Sequence, residues 1–404
     1  MKPVDFETAS SASRKARCLY LATFDPTVST TGTATRGKIF LRHFASRYET
    51  HLVHMKEVHS DGCDLEVTGQ LASAHALPYS QLGYFFFSRR LLKTASRVAR
   101  ETRPDFIFAD FEKSGLYAHI LSRTLQVPYF YNSHNVEYKR YVDFARTSKL
   151  RYAFVPLVYF VERLACRNAS LTVAISQPDG EILRGWVPDG RLLVLPCAID
   201  EDAFRPDLDA QPDEPPVVLM VGNYRNPGNR EGACAVCRVV VPAVAARRPD
   251  VVFRFVGKAF PDALKHPNVQ AVGFSEDLPR EYARASVIIA PITIGGGIKI
   301  KVVEALSVGK PLVATPKAME GIDPGGLENV WVEALKAFPD RIVEVLDKRP
   351  PTTCKNWKSV SRAYGSRVAL EGLTNRIDSL LASARGDAPA RPPSSARRAR
   401  SGEL

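Results

Sequence analysis

Short apolar runs alternate with longer segments of helical period along most of the chain. In the first half the runs are Cys18–Phe24, Thr50–Met55, Asp105–Asp110, Val127–Asn132, Leu171–Ser176 and Leu192–Pro196. Each has the length and content of a buried strand. Between them, helical patterns are predicted over about Lys38–Arg47, within 79–100, over Ser114–Leu125, along 145–168 and over Pro178–Trp186. The grammar restarts after residue 216. Strands are predicted at Val217–Val221, Val251–Val256, Val269–Phe274, Val287–Pro291, Leu312–Thr315 and Val330–Val332. Helices are predicted at Asn229–Arg248, Leu278–Ala285, Ile298–Ser307 and Leu335–Leu346, with a last one over about Ser359–Ser383. Strands alternating with helices imply parallel α/β sheets.

The pattern predicts two doubly wound, Rossmann-like α/β domains facing across a cleft. Residues 1–16 read as a flexible N-terminus and 17–200 as a first domain. Residues 201–216, with four prolines and six acids, read as a linker. A second domain is expected over 217–358. The helix at 359–383 is expected to cross back to the first domain, and the basic tail 384–404 to be disordered.

One stretch carries candidate chemistry. After the apolar run Val287–Pro291 come Gly295, Gly296 and Gly297, then Ile298, Lys299, Lys301 and Glu304 on a helical pattern closed by Gly309 and Pro311. Bare backbone N–H groups at a helix N-terminus suit a phosphate. Ligands of such folds sit at the carboxyl ends of strands, which also singles out the small-residue loop Asp25–Gly37 as a cleft floor or a plain surface turn.

Composition narrows this only in part. A hydrophobic content of 45% and a charged content of 24% are those of a soluble globular chain. The net charge of +12 favours anionic partners. No signal-peptide pattern opens the sequence, no run of about 18 apolar residues is present, and the seven cysteines are scattered, so a cytoplasmic location is expected. Cys234 and Cys237 form a C-x-x-C within a helical pattern, without two further ligands nearby, so no metal site is expected. In 79–100, Tyr84–Phe87, Leu91 and Leu92 stand among Arg89, Arg90, Lys93, Arg97 and Arg100. That mixture suits either an interfacial helix on anionic lipid or a core helix with a basic outer face.

Several runs together resemble the retaining glycosyltransferases of group one, of GT-B fold. They are VGNYRNPGNREGA (221–233), FRFVGK (253–258), VGFSEDLPREYARASVIIAP (272–291), GGGIKIKVVEALSVGKPLVAT (295–315) and AMEGID (318–323). YNSHNVEYKR (131–140), VERLACRNASLTVAISQPD (161–179) and LPCAID (195–200) extend the resemblance more loosely. It implies a nucleoside diphosphate sugar as donor, bound by the second domain, and a glycan or lipid-linked acceptor hydroxyl at the first. It implies a metal-independent transfer with retention, by front-face attack with the leaving phosphate as base, and no further cofactor. Glu304 matches the second of two glutamates that the family spaces seven residues apart, the one that holds the ribose hydroxyls; an i,i+3 ion pair with Lys301 is the alternative. The first glutamate is absent, since Gly296 stands eight positions before Glu304. A subgroup with a G-G-G-x-K-x-K loop is matched instead, its amides at Gly295–Ile298 cradling the diphosphate. The family's diphosphate arginine reads Asn223 here, so Lys299 and Lys301, with Arg225 or Arg230, are the expected cations. His134 matches a histidine that touches the donor sugar in relatives, or caps the next helix, and Asn135 and Glu137 share that choice. Glu162 and Asp200 are expected to be structural. The expected setting is envelope or extracellular glycan synthesis at the inner face of the plasma membrane. A non-catalytic sugar-nucleotide-binding subunit and a GT-B epimerase or phosphorylase are the alternatives. No nucleic-acid readout motif is present.

Overall fold

In the structure, a computed structural model, the described residues are 14–28, 32–56, 65–78, 87–145, 153–196, 199–295, 298–323 and 325–385. The first sheet has seven strands: β1 (Arg17–Ala22), β2 (Glu49–Met55), β3 (Ser73–Leu77), β4 (Phe106–Asp110), β5 (Tyr129–Asn132), β6 (Leu171–Ala174) and β7 (Leu192–Val194). Their order is β3-β2-β1-β4-β5-β6-β7, and every neighbouring pair is parallel. The second sheet has six: β8 (Val217–Val221), β9 (Val252–Val256), β10 (Val269–Gly273), β11 (Val287–Ala290), β12 (Leu312–Ala314) and β13 (Val330–Val332), in the parallel order β10-β9-β8-β11-β12-β13. Helices cover both faces of each sheet, which is why the central strands are nearly continuous apolar runs. The strand order reverses between β1 and β4 and again between β8 and β11. Those two switch points are where a doubly wound fold opens a crevice.

Several elements depart from the sequence expectation. Strand β3 was not expected, because SAHAL alternates only weakly and half of it is exposed. The first helix begins at Gly32, six residues before the expected Lys38, so the loop after β1 is shorter than Asp25–Gly37. The basic helix is Arg89–Thr102, started by Ser88, whose hydroxyl accepts the Leu91 N–H. Leu91, Ala95, Val98 and Ala99 face the core. Phe87 precedes that helix and stacks on Tyr117 at 5.1 Å, while residues 79–86 lie outside the described set. Of the expected helix over 145–168, the described part is Val155–Asn168, and Glu137–Ala145 is a helix before it; residues 146–152 lie outside the described set. The expected helix Asn229–Arg248 starts at Pro227 and carries a π-turn at Val236–Val240, just before Pro242, which has no N–H to offer the helix. The last expected helix is two, Cys354–Tyr364 and Ser366–Arg385, divided at Gly365.

That division joins the two halves. Val360 packs into the second domain. Leu370, Leu373, Ile377 and Leu381, one helical stripe, share a core with Phe40, Leu41 and Phe44 of the first. The Tyr48 hydroxyl donates to Asp378, and Gly365 pairs with Ile199 across the junction. Residues 201–216 are tied down rather than free. Phe204 is buried against Tyr282, and Asp213 lies between Arg254 (2.6 Å) and Arg284 (2.5 Å). No helix among the described residues is long and apolar enough to cross a membrane. Residues 1–13 and 386–404 are outside the described set.

Candidate active site

The glycine loop follows β11 at the second switch point. Gly295 has φ +101°, a conformation that a side chain opposes. Gly296 and Gly297 lie outside the described residues. The helix expected from Ile298 begins at Ile300, with Lys299 as its extended N-cap residue. Lys299 and Lys301 therefore flank the first helical amides, where a phosphate would meet the dipole.

The loop rests on the helix Pro227–Ala235. A Cβ on Gly228 would lie 2.8 Å from the Ile294 carbonyl oxygen, and one on Gly232 would lie 2.6 Å from that of Pro291. Thr293 donates to Glu231 at 2.9 Å. Gly257, at φ +132°, comes so close that a Cβ would meet the Gly222 carbonyl oxygen at 1.9 Å. Above Gly222 lies the ammonium of Lys301, which donates to Asn229 Oδ1, while Asn229 Nδ2 donates to the Asn223 carbonyl at 2.8 Å. Asn223 is thus joined to Lys301 through Asn229. Arg225 and Arg230 are exposed, and no ion pair or hydrogen bond ties their side chains to this cluster among the described residues.

Glu304 is buried one turn along the same helix and accepts the Tyr282 hydroxyl at 3.0 Å. With Lys301 directed to Asn229, the i,i+3 ion pair does not form. Burial raises the Glu304 carboxyl to about 7, opposed by the Tyr282 hydrogen bond and the Lys301 charge. Burial lowers Lys301 to about 7 and Lys299 to about 8; Glu304 opposes the first shift and Glu320 the second. A carboxyl and two lysines held out of water at this cost around one helix N-terminus mark a site prepared for an outside ligand. Asp179 of the first domain feels the fields of both Glu320 and Lys299, after the larger effect of burial raises its carboxyl. Ile175 of the first domain shares a hydrophobic core with Ile298 beside this loop, so the two domains meet there.

In the first domain the polar side chains gather at the β1/β4 switch point. Asp110, at the end of β4, is fully buried. It accepts from Tyr20 (2.7 Å), Asn132 (2.8 Å) and His134 Nε2 (2.6 Å). Arg36 donates to Asn132 and to the carbonyls of Leu195 and Pro196. Phe24 and Phe111 close edge-on against the His134 ring, and Phe111 holds φ +81°. His134 is only 3% exposed and is oriented by Asp110. Helix capping falls to Glu162 instead: its carboxylate accepts the N–H groups of Glu137 (2.8 Å) and Tyr138 (3.2 Å). Asn135 donates to Glu137, and Glu137 pairs with Arg140. Asp200 accepts the Ala203 N–H and faces Arg42.

Sequence reasoning missed Tyr282, Asn229, Asp110 and Arg36. An acid closing the apolar run DFIFAD was the one available signal; the others reach the site only through the fold. Cys234 and Cys237 are free thiols, and the partly buried Cys237 packs against a hydrophobic core. No group of three or more His, Cys, Asp or Glu is placed to hold a metal ion among the described residues.

Comparison with known proteins agrees with this arrangement. Residues 215–348 match the family model for glycosyl transferases group 1, and residues 31–203 match that for Glycosyltransferase Family 4. A phosphatidyl-myo-inositol mannosyltransferase of Mycolicibacterium smegmatis is 32% identical over 131 residues, covering 30% of this chain. The match spans 33% of that relative's length. A sucrose-phosphate synthase from Thermosynechococcus elongatus superposes with a TM-score of 0.71 at 17% identity, over 91% of this chain and 100% of that one. Anabaena HepE in complex with UDP-glucose gives 0.64 at 16%, over 90% and 99%. Both likenesses are of fold, the two-domain GT-B arrangement.

Proposed function

We propose that this chain, whose halves carry a family 4 and a group 1 glycosyltransferase domain, moves a sugar from a nucleoside diphosphate sugar to an acceptor hydroxyl with retention. The observation that carries the reading is the buried Glu304 and the partly buried Lys299 and Lys301 around the N-terminus of one helix at the second switch point. Glu304 stands about one helical turn, ~6 Å, beyond the helix start at Ile300, a reach that suits a ribose when the diphosphate sits at that N-terminus. The Glu304 carboxylate takes the two ribose hydroxyls, as acceptor-only chemistry suits a diol. Lys299, Lys301 and the first helical amides offset the charge that grows on the departing diphosphate, the main demand of such a transfer. This is the role of the G-G-G-x-K-x-K subgroup loop. Asn223 acts on the diphosphate through Asn229 and Lys301, and Arg225 joins only if the loop moves on binding. His134, set by Asp110, faces the donor sugar from the first domain. The leaving phosphate serves as base, so no side-chain nucleophile and no metal are assigned. The acceptor is a glycan or a lipid-linked glycan of the envelope. The exposed Arg89, Arg90, Lys93, Arg97 and Arg100 meet anionic lipid at the cytoplasmic face of the membrane.

Thermal-shift measurement against a panel of nucleotide sugars tests the first step. Stabilisation by one base class is expected, followed by transfer or slow hydrolysis of that donor. No stabilisation by any member rejects the reading.

A further inference from the structure

We infer that the N-terminal half of the helix Val155–Asn168 is a membrane-docking element, which lays Leu157 and Phe160 into the surface of an anionic phospholipid bilayer. The inference deepens the membrane contact proposed above and rests on it; the donor site plays no part in it. The helix reads VPLVYFVERLACRN. One side is held by the protein. Glu162, Ala165 and Cys166 are buried, and Tyr159 packs edge-on against Tyr138 at 5.3 Å and Trp186 at 5.1 Å. The other side is open. Pro156, Leu157, Phe160, Arg163 and Arg167 are all exposed and stand at helical spacing on one stripe. Leu157 is 48% exposed and Phe160 64%, the two most exposed large apolar side chains among the described residues of the first domain. Apolar residues scattered singly over a surface need no explanation; two on adjacent turns of one stripe do.

Charge decides what covers this stripe. The only acid of the helix, Glu162, is turned inward to the N–H groups of Glu137 and Tyr138. Arg163 and Arg167 make no hydrogen bond or ion pair through their side chains among the described residues. Apolar groups at one end and unpaired arginines along the rest suit a bilayer interface, the first below the headgroups and the second among the phosphates. The basic helix Arg89–Thr102 lies on the same face of the first sheet, since Leu91, Ala95 and Val98 share one core with Ala165 and Cys166. A second copy of the chain fits less well. A stable dimer buries about 800 Å² a side from about 20–30 residues, and a twofold contact would set these arginines against one another. The position of the stripe also suits a membrane. The helix leads at its C-terminal end into the amino end of β6, and Glu162 ties its middle to residues past the carboxyl end of β5. Leu157 and Phe160 thus stand toward the carboxyl ends of the strands, the side on which the cleft opens. A bilayer held there would present a lipid-linked hydroxyl to the cleft.

Cosedimentation of the full chain with vesicles tests this, using phosphatidylglycerol and phosphatidylcholine in equal parts against phosphatidylcholine alone. Wild type is expected to bind the anionic vesicles. Leu157→Ser with Phe160→Ser should weaken that binding about tenfold or more, at an unchanged Tm because both side chains lie outside the core. Arg163→Gln with Arg167→Gln should weaken it about fivefold for each charge, and by less as salt rises. Binding that the serine variant retains in full would overturn the inference and leave the contact through the basic helix in place. Equal binding of wild type to the two vesicles would overturn the choice of an anionic surface. A wild-type dimer that the serine variant breaks into monomers, read as mass in solution, would make the stripe a self-interface instead. If wild type binds neither vesicle, the membrane contact proposed above falls and this inference with it, while the nucleotide reading stands.

Discussion

Replacing Lys301 by Met should make the free protein more stable while removing its affinity for a diphosphate. Burial holds the Lys301 ammonium at about 7 against an ordinary value of 10.5. At about 1.4 kcal/mol per pH unit, that difference corresponds to ~5 kcal/mol between the charged and neutral forms. The whole amount does not appear on mutation. Losing the hydrogen bond to Asn229 returns about 1 kcal/mol, and relaxation around a buried charge absorbs more. A net gain of about 1–2 kcal/mol at pH 7 is expected, or a rise in Tm of about 1–3 °C for a chain of this length. The sign with pH is fixed by linkage. Between about pH 7 and 10.5 the unfolded chain holds a proton on this lysine that the folded chain has lost, so wild-type stability falls as pH drops through that window. Below about 7 both states are protonated and the contribution is constant. Denaturation of both proteins from pH 6 to 10 should therefore show the variant's advantage widest at and below pH 7 and shrinking above it. A lower Tm at pH 7, or an advantage that ignores pH, would refute the claim that the site stores an uncompensated charge.

Glu304 should impose its own pH dependence on nucleotide binding. Its carboxyl titrates at about 7, so the part of the affinity that Glu304 contributes, read as wild type against Glu304→Gln, should be lost as pH drops through that value while Lys301 gains charge in both proteins. Tyr282→Phe should move that midpoint upward by removing the hydroxyl that opposes protonation. Glu304→Gln should weaken nucleotide binding about tenfold or more at pH 8, read by calorimetric titration. Burial raises Glu162 to about 8, and its two oxygens each accept one helix N–H. Glu162→Gln, which keeps one acceptor oxygen, should therefore cost less in chemical denaturation than Glu162→Ala, which leaves both N–H groups unpaired and should cost about 1–2 kcal/mol. Gly257→Ala would place a methyl group against the Gly222 carbonyl, and loss of nucleotide-induced stabilisation together with a lower Tm is expected.

The fold was legible because its strands are buried on both faces. Runs such as Val217–Val221 and Val287–Ala290 are apolar throughout and stand out against helical periods. Strand β3 escaped because SAHAL lies at a sheet edge, where half-exposure removes the apolar run. The helix breaks escaped for a related reason. Gly365 divides two helices at a close approach to the first domain, and periodicity along the chain does not register a contact with Ile199. Of the candidate site, the contiguous part was legible. Gly295, Lys299, Lys301 and Glu304 stand within ten residues, and a glycine loop opening a helix has few other uses.

The rest of the site is made of single residues from distant segments, and this explains why the cations were easier to find than their partners. The lysines sit on the helix that the loop opens, so spacing alone points them at one ligand. Tyr282, Asn229 and Glu320 come from three other segments, joined to those charges only when β8, β11 and β12 lie side by side. The same holds for Asp110, which gathers Tyr20 from one neighbouring strand, and Asn132 and His134 from the end of the other. Removing that carboxylate by Asp110→Ala would leave three buried donors facing one another. It should cost about 3–5 kcal/mol, more than any single change in the glycine loop. The energetic centre of the first domain is thus a side chain that orients His134 rather than His134 itself. Asp110→Asn, which keeps the shape and one acceptor oxygen, should retain more stability than Ala in chemical denaturation. If instead both substitutions leave stability unchanged, the network does not hold His134, and the assignment of that histidine to the donor sugar loses its structural support.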